Sequence, residues 1–186
     1  MKRSNTFWLI SAQANFFVMI LICFGLSPHA PVQMEGISYY GNYARTLLPY
    51  LLAFFGTAGL ISAAVLRVRG GKDLINLRRL LLILAALLVC LAVVPSNNLE
   101  HLHEIFGGAI FIDELIIGWW FAFWLSKKLW SGGLALLQLG AAIMAMLSLP
   151  DIIDVMFLAQ ILFQVASGAF FILAYRHVLR SAEVGE

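Results

Sequence analysis

Two carboxylic acids, Asp113 and Glu114, stand side by side within an apolar run from Ile105 to Ser126 that is long enough to cross a bilayer. A charged side chain at that depth costs roughly 2.5–3.5 kcal/mol on translocon scales, and more on an isolated helix. The pair therefore needs a buried polar partner, a bound proton, or water that reaches it. Intramembrane acids that meet these needs build proton relays and ion pathways. The plainer role is interhelical glue, in which the acids only hydrogen-bond to neighbouring spans. At the mouth of the same run, Glu100-His101-Leu102-His103-Glu104 offers a second chemistry. In an extended segment, His101 and His103 share one side, a spacing that suits a transition metal with a carboxylate as third ligand. In a helix the two rings point about 200° apart and that ligation is lost. The same His101, His103 and Glu104 are the candidates for acid–base catalysis on a lipid headgroup.

Helical spacing ties the two clusters together. His103, Gly107, Ile110 and Glu114 recur on one face, because 11 residues bring the direction back to within about 20°. The axial gap from His103 to Glu114 is about 16 Å, too long for common ligation but suited to a wet path leading inward. Asp113 is turned about 100° away, towards a neighbouring helix. Polar partners for the acids lie on other runs: Gln13 and Asn15, Gln138, and a stripe of Gln160, Gln164 and Ser167. A ligand or proton site is thus expected from His103, Asp113 and Glu114 together with Gln160 and Gln164. Ser38, Tyr39 and Arg45 of the first outer loop complete it.

The elements that must position these residues follow from composition. Of 186 residues, 62% are hydrophobic and 12% charged, against roughly 25% charged in a soluble domain. Six apolar runs have or approach the roughly 20 residues needed for a span: Phe7–Leu26, Thr46–Leu66, Leu80–Val94, Ile105–Ser126, Gly132–Leu149 and Val155–Tyr175. Each must be helical, since a lone strand leaves backbone groups unsatisfied in lipid. Residues 1–186 are thus read as one all-α transmembrane domain, a six-helix bundle with no soluble module. Of the 12 Lys and Arg residues, all but Arg45 fall on one side when the termini and the even-numbered connections are placed inside. Both termini are then cytoplasmic by the positive-inside rule. Trp8, Trp119, Trp120, Trp124 and Trp130 gather at the inner interface and Tyr39, Tyr40, Tyr43 and Tyr50 at the outer one, as two aromatic belts. The net charge of +2 gives no hint of nucleic-acid binding.

Smaller features fill in the picture. The first apolar run is longer than the 7–15 residues of a secretory h-region, and Pro31 would follow the nominal cleavage point, so it is read as an uncleaved span. Pro49 is read as a first-turn proline, and Asp151 and Asp154 as caps of the last helix. Close packing is expected at Gly56, Gly59, Ser62 and Ala63 and at Gly140, Ala141 and Ala145. Cys23 and Cys90 are read as buried free thiols. His29, Glu35, Glu100 and the acids above leave most candidate chemistry on the outer side.

The layout resembles a known family. The first span leads to an outer loop with Ile37-Ser38-Tyr39-Tyr40-Gly41 before Arg45, then a Gly-rich span. A basic inner loop and a span ending in Val94-Pro95 follow, and a short outer loop reaches His101 or His103 at the mouth of the fourth span. This resembles, over about the first 125 residues, a prokaryotic six-span membrane family catalogued as a domain of unknown function, number 998. More distantly it is similar to the eukaryotic Frag/DRAM/Sfk membrane proteins. The resemblance implies the topology and a prokaryotic cytoplasmic membrane; Asn97-Asn98 stand where the family has an acidic residue.

Three functions are open on these residues. One is a non-catalytic protein that binds a lipid or small hydrophobic ligand, or an accessory subunit of a membrane complex. A second is a lipid-headgroup hydrolase or transferase using the outer histidines and acids. The third is a proton- or ion-coupled carrier using Asp113 and Glu114. The expected partners are the bilayer and a bound lipid or membrane subunit, and the residues single out no cofactor.

Overall fold

The chain is described by a computed structural model that covers residues 2–28, 36–66, 72–94, 99–126, 128–148 and 155–184, with side chains described between 6 and 179. His29, Glu35, Asn97, Asn98, Asp151 and Asp154 lie outside the described residues. Six long helices carry the fold: α1 (Lys2–Leu26), α2 (Ala44–Leu66), α3 (Lys72–Val93), α4 (Glu100–Trp119), α5 (Leu129–Ser148) and α6 (Met156–Val184). A short 3-10 segment, Ile37–Asn42, precedes α2, and a π-helical segment, Trp120–Ser126, continues α4. No strand occurs among the described residues. All six helices are long and apolar enough to span a membrane, so the six-span all-α reading holds.

The helices overrun the apolar windows at their wet ends, mostly on the side read as inner. α3 starts at Lys72, not Leu80, because Lys, Asp, Arg and Leu are all compatible with helix and Asp73 favours the positive end of its first turn. Its extra turns are packed: Leu74 and Leu77 are buried. α6 continues past Tyr175 to Val184, and the Tyr175 hydroxyl donates to the Ala64 carbonyl on α2 at 3.1 Å. At the outer side, α4 begins at Glu100, five residues before Ile105. Hydropathy marks where a helix crosses lipid, and not where its hydrogen bonding stops. Pro49 is a further correction: it lies in the second turn of α2 and is buried. It leaves the Arg45 carbonyl without its usual intrahelical donor.

α1 packs along α2, α2 along α3, α3 along α4 and α5 along α6, while α6 also touches α1, α3 and α4. α6 is therefore the hub. Its Phe163, Phe170, Phe171 and Tyr175 are almost fully buried. Packing faces differ in part from the small-residue stripes. On α2 the buried positions include Ala53, Thr57, Ala58, Ile61, Ala64 and Val65, whereas Gly59 faces outward. On α5, Ala141 and Ala145 are buried as expected, but Gly140 is exposed.

Four side-chain amides pack across the bundle, each seated where a glycine leaves room. A Cβ added to Gly56 would lie 2.7 Å from Asn15 Nδ2, one added to Gly168 would meet Gln13, one added to Gly118 would meet Gln138, and one added to Gly36 would lie 2.6 Å from Gln160 Oε1. From its seat, Asn15 donates to the Leu52 carbonyl at 2.9 Å and to Thr57 Oγ1 at 3.2 Å. In lipid no hydrophobic gain drives helix against helix, so close approach and interhelical hydrogen bonds must do so.

Candidate functional site

Below the outer ends of the helices lies a cavity of about 60 Å³, lined by Phe16 of α1, Phe54 of α2, Leu88 and Leu91 of α3, Gly107, Ile110 and Phe111 of α4, and Gln160 and Gln164 of α6. Ile37 and Ser38 complete its lining from the 3-10 segment above. That segment is pinned at both ends. Gly36 adopts φ 73°, a left-handed conformation that a glycine reaches without strain. This turns the Ile37 N–H onto Gln160 Oε1 at 2.7 Å. At the other end Thr46 Oγ1 donates to the Tyr40 carbonyl at 2.6 Å.

Tyr40 plugs the segment into the bundle. It is fully buried, and its hydroxyl has no hydrogen-bond partner among the described residues. Burial, with a smaller contribution from the Cys23 thiol, pushes the phenol up from 10.0 to about 12. The fold therefore favours neutral Tyr40, a stabilisation present below pH 10 and lost as pH rises towards 12. Tyr40→Phe is expected to raise stability by about 1 kcal/mol, the low end of the cost of an unsatisfied buried hydroxyl. It should also remove part of the alkaline loss. Thermal unfolding in detergent across alkaline pH checks both; a lower melting temperature at neutral pH would show that the hydroxyl is needed.

One turn and more below the cavity, Glu114 is buried at mid-span. Its Oε2 accepts from Gln164 Nε2 at 3.0 Å, making Gln164 the link between cavity and acid. Ser167 also hydrogen-bonds to Glu114, while its oxygen accepts from Gln138 Nε2 at 2.8 Å. Gln138 Nε2 reaches the Glu114 backbone carbonyl at 3.1 Å as well. α5 and α6 thus converge on Glu114 of α4 through neutral groups, Gln164 and Ser167 at its carboxyl and Gln138 at its backbone carbonyl. Asp113, also buried, has an Oδ2 without a partner among the described residues.

The outer histidines separate. Because α4 has begun by Glu100, the helical case applies to His101 and His103. His101 is 95% exposed and lies 3.6 Å from Glu104 on the same surface. His103 is only 8% exposed, with Nδ1 2.7 Å from the Val94 carbonyl at the end of α3. A carbonyl only accepts, so Nδ1 carries the hydrogen and Nε2 is an acceptor; it is buried, with no partner among the described residues. No group of three metal-ligating side chains occurs among the described residues. Ser38, Gln160 and Gln164 meet at the cavity. Tyr39 instead packs on Tyr43 with ring centroids 4.6 Å apart, and Arg45 is exposed. Cys23 and Cys90 are both free, with Cys90 only half-buried.

Sequence reasoning found the amides and the acids but not their glycine seats. Gly36, Gly118 and Gly168 gave no pattern of their own, since each seat is made by a residue from a distant part of the chain. A weak signal was present: Gly36 directly precedes the loop motif, and Gly118 lies one turn below Glu114.

A bundle of six apolar helices with an acid buried at mid-span defines a polytopic integral membrane protein. No family model matches the chain, and neither a curated protein nor a solved structure matches it significantly.

Proposed function

We propose that this is a non-catalytic protein of a prokaryotic cytoplasmic membrane whose working group is Glu114, a site that takes up and releases a proton through the outer cavity, as in a proton- or ion-coupled carrier. The observation that carries this reading is the contact of Glu114 Oε2 with Gln164, a residue that also lines the cavity. A carboxyl held only by neutral partners can exist with or without its proton, whereas one locked to a cation could not. An intramembrane acid of this kind is a functional site by default. The cavity volume of about 60 Å³ suits a few waters, each occupying about 30 Å³ in the liquid. Pockets for lipid-like or drug-sized ligands run to several hundred Å³, so lipid binding or accessory assembly would use the outside of the bundle. A hydrolase would need an imidazole and a carboxylate converging on one cavity point; His101 and Glu104 meet on the open surface. Kinship with the six-span family of unknown function rests on layout and is proposed on that basis alone.

Infrared difference spectra of the full chain in nanodiscs test the reading. A carboxylic-acid C=O band that comes and goes with bulk pH is expected in wild type and should be absent from Glu114→Gln. If no band lost in that variant responds to pH, Glu114 does not exchange protons and the proposal fails.

A further inference from the structure

We propose that His103 and Gly107 form the outer entry of the path to Glu114, with His103 Nε2 receiving protons at the mouth and the space beside Gly107 passing them to the cavity. This rests on the proton-site reading of Glu114 and assigns its route.

Three independent observations converge on one face of α4. First, His103 is a buried imidazole whose Nε2 lone pair has no partner among the described residues, while its Nδ1 hydrogen is committed to Val94. Fixing one nitrogen sets the tautomer of the other. A buried acceptor left bare costs about 1–3 kcal/mol relative to a satisfied one, so a structural histidine in this position would be expected to use both nitrogens. Second, a Cβ built on Gly107, one turn further in, meets nothing within 4 Å. Unlike Gly36, Gly56, Gly118 and Gly168, this glycine is not filled by a neighbour's side chain, and it lines the cavity. Third, Ile110 and then Glu114 continue the same face, and Gln164 joins the cavity to the acid. His103, Gly107, Ile110 and Glu114 thus share one face of α4, with the cavity beside Gly107 and Ile110.

Among the described residues the charged and titratable surroundings are few. On α4, His101 and Glu104 point to the surface and Asp113 adjoins Glu114; α5 and α6 bring only Gln138, Gln164 and Ser167 to the acid. The transfer balances simply. Nε2 is closed to bulk water at rest; when water reaches it, a hydronium protonates Nε2, and Nε2–H then gives the proton to cavity water. That water passes it to Glu114, leaving His103 neutral and in its starting tautomer.

The test follows the carboxylic-acid band of Glu114 after a pH jump, in the full chain in nanodiscs. His103→Ala and Gly107→Leu should each slow the band's appearance by about tenfold or more, in line with loss of a positioned acid–base group. Its final amplitude should be unchanged. Imidazole in the buffer should restore the rate in His103→Ala and not in Gly107→Leu, a difference that a folding defect would not produce. If the band titrates but both variants exchange at the wild-type rate, this route is wrong while the proton site stands. If the band is absent from wild type, the underlying reading has failed. Should His103→Ala not fold, Gly107→Leu alone decides, because its side chain enters open space.

Discussion

Gly118→Ala is expected to lower stability by about 1–3 kcal/mol, the usual cost of overpacking, while Gly107→Ala on the same helix should raise it by up to about 1 kcal/mol through helix propensity. The opposite signs come from what each glycine faces. At Gly118 a new Cβ would collide with the Gln138 amide oxygen and lie 2.8 Å from the Phe170 ring. Gln138 cannot swing aside freely, because its Nε2 holds both the Glu114 carbonyl and Ser167. Phe170 is itself fully buried against the hub. Beside Gly107 there is only open space. Reversible unfolding in mixed micelles measures both variants; equal effects would show that amide seating does not govern packing here.

Glu114 should separate hydrogen bonding from protonation with comparable force. Glu114→Leu strands Gln164 Nε2 and removes the partner of Ser167, with an expected loss of about 1–3 kcal/mol for an orphaned buried donor. Glu114→Gln keeps an oxygen for Gln164 and should stay within about 1 kcal/mol of wild type, consistent with the modest worth of single interhelical hydrogen bonds. Function should sort differently: both variants lose proton exchange, and only the leucine variant loses stability. A glutamine variant with undiminished activity would make the acid a structural element, with no proton to release.

How much of this was legible in the sequence depends on the range of the physics involved. The six spans were, because a bilayer selects for a run of apolar residues and that signal is local. The placement of His103 and Glu114 on one face was also legible, since helical period alone sets it. The partner of Glu114 was narrowed to a handful of amides, and Gln164 is among them. Which amide meets which glycine was not legible: Gln160 and Gly36, or Gln13 and Gly168, lie far apart in the chain and come together only through tertiary packing. The ends of α3 and α6 were missed for a different reason. The first turns of α3 and the last turns of α6 lie in wet regions where hydropathy is silent, yet Leu77 and Val178 are still buried there. The divergence of His101 and His103 turned on a single boundary, the start of α4 at Glu100.

The π segment at the end of α4 has a consequence for how this chain can change length. Deleting one residue from an ordinary span rotates everything beyond it by about 100° and drags a lipid-facing stripe into the core. Within Trp120–Ser126 the same deletion would turn a wide turn into an ordinary α-turn and leave both flanks in phase. Glu114 and Gly118 on one flank, and the junction to α5 on the other, would keep their positions. A one-residue loss would therefore be absorbed within this segment, whereas the same loss beside Glu114 would turn the acid's contacts out of phase.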